Sequence, residues 1–73
     1  MKFLPPAGAE YVRDWTRLAP GDKVYLVEDD ATDVSGWVDA VAEDGSVLWV
    51  HMEAGAGRRL FSPRQGQLLW LVR

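Results

Sequence analysis

Short apolar runs separated by turn-forming residues cover the chain from residue 20 to its end. Turn signals recur about every 8–12 residues, which is the strand spacing of a small sandwich or barrel. The runs are rich in β-branched and aromatic residues, which suit a pleated surface. The pattern predicts a mainly β, antiparallel fold with five strands, at residues 22–28, 36–42, 46–53, 58–61 and 67–72.

The third predicted strand has the clearest alternation. One face is purely apolar and the other is mixed: the first holds Leu48, Val50 and Met52, and the second holds Val47, Trp49 and His51. Because successive side chains of a strand point to opposite faces, we expect the first set in the core. The last predicted strand is apolar on both faces, so we expect it to be covered on both sides.

Three short segments carry turn chemistry. Pro20-Gly21 fits the central positions of a type II turn, where glycine takes a positive φ without strain. Asp44-Gly45 predicts a tight type I′ hairpin, which needs a positive φ at both residues. Residues 62–66 predict a tight turn or a single 3₁₀ turn, because the proline there cannot donate to a sheet.

The amino-terminal segment has a different period. Tyr11, Trp15 and Leu18 follow helical spacing within residues 9–18, which predicts a short helix. Ten residues are too few for an isolated stable helix, so we expect this one to dock on the sheet. Trp15 should then be at least half buried.

A family resemblance follows from the stretches GDKVYLV and GWVDAVAEDGSVLWVHM. The opening strand of KOW and Tudor-type modules is resembled by Gly21-Asp22, Val24 and Leu26, and their second strand by Gly36-Trp37-Val38. The resemblance covers about residues 20–72. It implies a five-stranded SH3-like antiparallel barrel, which we place at residues 20–73. Residues 1–19 are then an extension that contains the short helix predicted from the spacing above.

The net charge of −3 conceals a segregation along the chain. Residues 1–44 hold ten acids and four bases, whereas residues 45–73 hold four arginines and one acid. Such asymmetry can mark a partner surface or a solvated, mixed surface that folding interleaves. The acids at 28–33 lack the spacing of a calcium-binding loop, so we interpret them as a solvated segment and expect no metal or cofactor.

Four side chains are candidate binding residues. Arg58 and Arg59 follow a glycine-rich tip and Arg64 lies nearby in sequence, so the three could contact phosphates or acidic side chains. Alternatively, they pair with the acidic half of this same chain. Trp37 lies beside the outward Asp39 on its predicted strand, so it is the best candidate for an exposed anchor. We expect at least two of Trp37, Trp49 and Trp70 in the core.

The residue inventory does not favour an enzyme. The chain has one histidine, His51, and no cysteine, and no serine lies in a G-x-S-x-G motif. General acid–base and nucleophilic catalysis both need positioned partner groups, which the sequence does not offer. We therefore expect neither catalysis nor a small-molecule substrate.

Two function classes remain. The first is a non-enzymatic module that binds another protein or itself; the second is a nucleic-acid binder using Arg58, Arg59 and Arg64, as the KOW resemblance implies. A pI of about 4.9 favours the first, because nucleic-acid domains usually have a strongly basic footprint. Without an apolar run of about 20 residues or cysteines, we expect a cytoplasmic protein with no membrane partner.

Overall fold

The described residues form one six-stranded sheet. The computed structural model describes residues 5–29, 32–53, 55 and 57–72. The strands are β1 Glu10–Tyr11, β2 Lys23–Asp29, β3 Thr32–Val41, β4 Leu48–Met52, β5 Arg58–Phe61 and β6 Leu68–Val72, with 3₁₀ turns at Trp15–Arg17 and Pro63–Gln65. Their order in the sheet is β1-β6-β2-β3-β4-β5, and every neighbouring pair is antiparallel.

The mainly β, antiparallel prediction is confirmed, and each of the five predicted strands is present within a few residues of its expected bounds. The five-stranded closed barrel is not what the structure contains. β1 adds a sixth strand beside β6, and β1 and β5 lie at opposite ends of the strand order, so the sheet stays open between them.

The predicted helix over residues 9–18 is wrong. Its first part is strand β1, in which Tyr11 lies opposite Trp70, and the next residue, Val12, donates its N–H to the Leu69 carbonyl at 2.9 Å. A single 3₁₀ turn at Trp15–Arg17 follows. Backbone pairing to β6 satisfies groups that a ten-residue helix would leave open at its ends.

Docking of this segment is confirmed. Trp15 is 3% exposed, and Val12 and Leu18 are also buried. Asp14 caps the 3₁₀ turn by accepting from the N–H and hydroxyl of Thr16 at 3.0 and 2.6 Å, and these bonds lower the pKa of Asp14. Apolar burial and a local cap therefore hold the segment without a full helix.

The core lies on one side of the curved sheet. The predicted core set of β4 is confirmed, since Leu48, Val50 and Met52 are buried there. They pack with side chains from β2, β3, β5, β6 and the amino-terminal segment: Val12, Trp15, Leu18, Val24, Leu26, Val38, Phe61 and Leu69. Burying each large apolar side chain contributes about 1.5–3 kcal/mol.

Two of the three turn predictions are confirmed. Gly21 has a φ of +94° and Asp22 donates its N–H to the Ala19 carbonyl, and a 3₁₀ turn occupies Pro63–Gln65. The type I′ turn at Asp44-Gly45 is wrong, because only the glycine has a positive φ. The Asp44 carboxylate instead accepts from the Ser46 N–H at 3.0 Å, which allows a wider loop.

Close packing of β3 against β4 depends on Gly36. A Cβ at this position would lie 2.3 Å from the carbonyl oxygen of His51. Beyond it, the register of β3 shifts between Val38 and Ala40, so that Asp39 lies in a bulge. The glycine and the bulge together set the positions of Trp37 and Asp39 on this part of the sheet.

Candidate functional site

Large apolar side chains are exposed on the side of the sheet opposite the core, called here the outer face. Each of them is next in sequence to a core residue and so points the other way. They are Tyr11 at 44% exposure, Trp37 at 39%, Trp49 at 37%, Leu60 at 47% and Leu68 at 37%. Contiguous exposed apolar surface on a small protein commonly marks an interaction site.

Trp37 occupies the outer face of β3, as the sequence predicted for an exposed anchor. Lys23 of β2 and His51 of β4 are its cross-strand neighbours. The Lys23 ammonium lies 4.4 Å from the centroid of the indole ring and also forms an ion pair with Glu53. The cation contacts the π-face of the ring, and the acid keeps that cation in place.

Trp49, on the outer face of β4, has a similar arrangement. The Arg58 guanidinium carbon lies 4.7 Å from its ring centroid. Nη2 of Arg58 also lies 2.6 Å from Oδ2 of Asp39, the bulge residue of β3. An acid, a cation and a tryptophan thus stack in the same order at both rings.

His51 lies between the two stacks. In the register it has Trp37 on one side and Arg58 on the other, and Trp49 is two residues earlier on the same strand. We call Trp37, Trp49, His51, Lys23 and Arg58 the tryptophan patch. The patch combines two exposed indole rings with cations that already have acidic partners.

The other end of the outer face has a different aromatic cluster. Trp70 of β6 lies between Tyr11 and Tyr25, with ring centroids at 5.4 and 5.9 Å. Tyr25 is only 6% exposed, and its hydroxyl donates to Oδ2 of Asp33 at 2.9 Å. Burial, followed by the bond to Asp33, raises the pKa of Tyr25.

Arg59 points to the core side of β5. Its guanidinium makes a two-pronged contact with Glu28 of β2, at 3.1 and 2.7 Å, and lies over the ring of Phe61. The bonds to Glu28 raise the pKa of Arg59. The pair joins β5 to β2. Gln67, which precedes β6, also donates to Glu28, at 3.4 Å.

Arg64 lies in the second 3₁₀ turn and is exposed. It forms no ion pair with another residue of the described ranges. Hydrogen bonds with Ser46 lower the pKa of Asp44, and the charge of Arg64 adds a smaller effect in the same direction. The three arginines therefore lie in three different places and do not form one cluster: Arg58 is on the outer face, Arg59 is on the core side and Arg64 is in a turn. For Arg58 and Arg59, pairing with the acidic half of the chain is the arrangement observed.

The acidic segment has structural partners. Glu28 binds Arg59 and Asp33 accepts from Tyr25. Asp30, which belongs to the same stretch, lies outside the described residues. Within the described part of the chain, no group of three or more histidine or acidic side chains is placed to hold a metal ion.

The sequence did not predict Trp49, Lys23 or His51 as binding residues. At least two of Trp37, Trp49 and Trp70 were expected in the core, and this prediction is wrong, because none of the three is buried. The buried tryptophan is Trp15. The available signal was the alternation in β4, which put Trp49 opposite the core residues. The cations above the rings come from distant parts of the chain and left no local signal.

The chain matches no protein-family model, no curated protein and no solved structure. None of the helical segments that the structure describes has the length and apolar character needed to span a bilayer.

Proposed function

We propose that the protein is a small, non-enzymatic module that binds another protein through the tryptophan patch. The observation that carries the proposal is the presence of two exposed indole rings on adjacent strands, Trp37 on β3 and Trp49 on β4. Tryptophan residues supply much of the energy of protein interfaces, because each buries a large area. Strand-mounted rings also lose little conformational freedom on binding.

The strand order supports an SH3-like architecture for this module. β2, β3, β4 and β5 follow one another as a meander, and β6 returns beside β2. A single 3₁₀ turn at Pro63–Gln65 precedes β6, and a one-turn link before the last strand is one part of an SH3-like pattern. The architecture by itself names no partner.

Charge favours a protein partner. Lys23 and Arg58 are each paired with an acid, so the patch has little net charge with which to attract phosphates. Displacing those acids would cost part of any gain from nucleic acid. Apolar burial over Trp37 and Trp49 has no such cost.

A nucleic-acid ligand is the second candidate, and one observation favours it. Exposed aromatic rings beside cations on one sheet face can stack bases while the cations contact the backbone. In that case Arg58 and Arg64 would exchange their present surroundings for phosphates. Affinity would then fall steeply with salt, by a slope of about one unit for each phosphate contact.

Capture by the immobilised protein tests both candidates. From a cell lysate of the native host, the wild type should capture the same proteins with and without nuclease treatment. We expect Trp37→Ala and Trp49→Ala each to lose these proteins. Leu68→Ala is the matched control, because Leu68 is as exposed as Trp49 but lies on β6. Identical captured proteins for both tryptophan variants and the wild type would overturn the proposal, and loss of capture after nuclease would favour the second candidate.

A further inference from the structure

Strand β5 is an exposed edge of the sheet. Its one neighbour among the described strands is β4, and three of its four residues, Arg58, Arg59 and Leu60, are exposed. The opposite edge, β1, has only two residues. An edge strand presents unpaired N–H and C=O groups that can pair with another chain. β5 is thus the longer of the two edges available for such pairing.

The backbone directions of β5 follow from one hydrogen bond. Met52 of β4 donates its N–H to the Gly57 carbonyl at 2.8 Å, so the backbone of Gly57 faces β4. Because these directions alternate along an antiparallel pair, Arg59 and Phe61 also face β4. The N–H and C=O groups of Arg58 and Leu60 therefore point away from the sheet.

Charge usually protects an edge of this kind, since like charges repel a second strand. Here the two arginines of β5 are neutralised by the chain itself. Arg58 pairs with Asp39 on the outer face, and Arg59 pairs with Glu28 on the core side. What remains along the outer edge is the apolar side chain of Leu60.

We propose that two copies of this chain associate by antiparallel pairing of their β5 strands, which joins the two sheets. In the register that uses all four outward groups, Arg58 of one copy lies opposite Leu60 of the other. The two Arg59 residues meet at the two-fold axis, each with its own Glu28. This arrangement makes four backbone hydrogen bonds and is the same from both copies, as a two-fold interface must be.

The register centred on Leu60 is less favourable. It would need the Ser62 N–H for pairing with Arg58 of the second copy, but that N–H already donates to Oε1 of Gln67 at 3.0 Å. In the proposed register, Leu60 also covers the stem of Arg58 across the interface. The outer faces then continue from one copy to the other without covering Trp37.

Sedimentation equilibrium tests the pairing from about 10 μM to about 1 mM, a range suited to a small, weak interface. We expect the mass to rise from 8.2 kDa toward twice that value. Hydrogen exchange should show protection of the Arg58 and Leu60 amides that increases with concentration. The Arg59 and Phe61 amides should be protected at every concentration, because they already face β4.

Substitution at position 60 tests the register. Leu60→Lys places a second cation opposite Arg58 of the other copy and should weaken association by on the order of tenfold, whereas Leu60→Glu should strengthen it. Leu68→Lys is the matched control on an interior strand and should leave association unchanged.

Three results would each overturn the proposal: a monomer at every concentration, equal association of the Leu60→Lys and Leu60→Glu variants, or exchange of the Arg58 and Leu60 amides that does not depend on concentration. Association that persists with unprotected β5 amides would place the interface elsewhere. Pairing of the edge only with an extended strand of another protein would likewise exclude the second copy as its partner.

Discussion

On the β1–β6–β2 half of the outer face, aromatic rings pack against one another, whereas on the β3–β4–β5 half they lie beneath cations. Trp70 contacts both Tyr11 and Tyr25, and Tyr25 is nearly buried. Trp37 and Trp49 are each exposed by more than a third and contact Lys23 and Arg58 instead. The two halves share a residue type and differ in what covers it.

One half of the outer face stabilises the fold, and the other half offers rings that a partner can contact. Ring-to-ring contacts hold Trp70 between Tyr11 and Tyr25, so this cluster contributes to the stability of the sheet. A cation over an exposed ring contributes about 0.5–1 kcal/mol and can be displaced by a partner. Trp37 and Trp49 can therefore be covered by another molecule without disturbing the sheet.

The largest loss of stability is expected from a substitution at Gly36, which allows the strands that carry Trp37 and Trp49 to pack closely. In Gly36→Ala the new methyl group meets the His51 carbonyl, so β3 and β4 must separate. We expect the free energy of unfolding to fall by about 3 kcal/mol, as in an overpacked core. Urea titration measures it, with Ser35→Ala as the control on the same strand. A loss equal to that of the control would show that the strands separate without cost.

Alanine substitutions at Trp70 and Trp37 compare the two halves directly. Trp70→Ala removes contacts to two neighbouring rings and should cost about 2 kcal/mol of unfolding free energy. Trp37→Ala should cost less than about 1 kcal/mol, because the ring is exposed. Thermal and urea unfolding of both variants provide the measurement. Equal losses would contradict the division of the outer face into a stabilising and an available half.

The bond between Tyr25 and Asp33 makes the stability of the Trp70 half of the outer face depend on pH. The folded protein holds the pKa of Tyr25 above its ordinary value of 10.0. The unfolded chain therefore loses this proton first, and the stability is fully present below about pH 10 and lost as pH rises through the folded pKa. Tyr25→Phe should lower stability at neutral pH by about 1 kcal/mol and remove this part of the alkaline loss.

Melting temperatures recorded from about pH 8 to about pH 12 measure this effect, with Tyr11→Phe as the matched control. The control keeps Tyr25 and should keep the alkaline loss. An alkaline loss that is unchanged in Tyr25→Phe would show that other groups cause it.

The smallest expected change in unfolding free energy distinguishes Arg59 from Arg64. Arg59→Ala removes a two-pronged contact with Glu28 and should cost about 0.5–1 kcal/mol, because the partly exposed pair is screened by solvent. Arg64→Ala should stay within about 0.5 kcal/mol of the wild type. A double-mutant cycle of Arg59 and Glu28 measures the coupling. Zero coupling would mean that the pair does not hold β5 near β2.

Local sequence determined much of the sheet. The run at 58–61 predicted the bounds of β5, and Leu48, Val50 and Met52 predicted the buried face of β4. These predictions succeed because strand alternation is a property of a few consecutive residues. The burial of Trp15 could also be predicted, since a large apolar side chain in a small domain seeks the core.

Only the tertiary structure decided how residues 9–18 fold and which cations lie over the exposed tryptophans. Their helical spacing was real, yet pairing of Tyr11 with Trp70 overrode it, because β6 offered a strand edge to which the segment could bond. Likewise, the partners of Arg58 and Arg59 are acids from β3 and β2. Contacts between residues about 20–30 positions apart depend on the path of the whole chain, which no local pattern records.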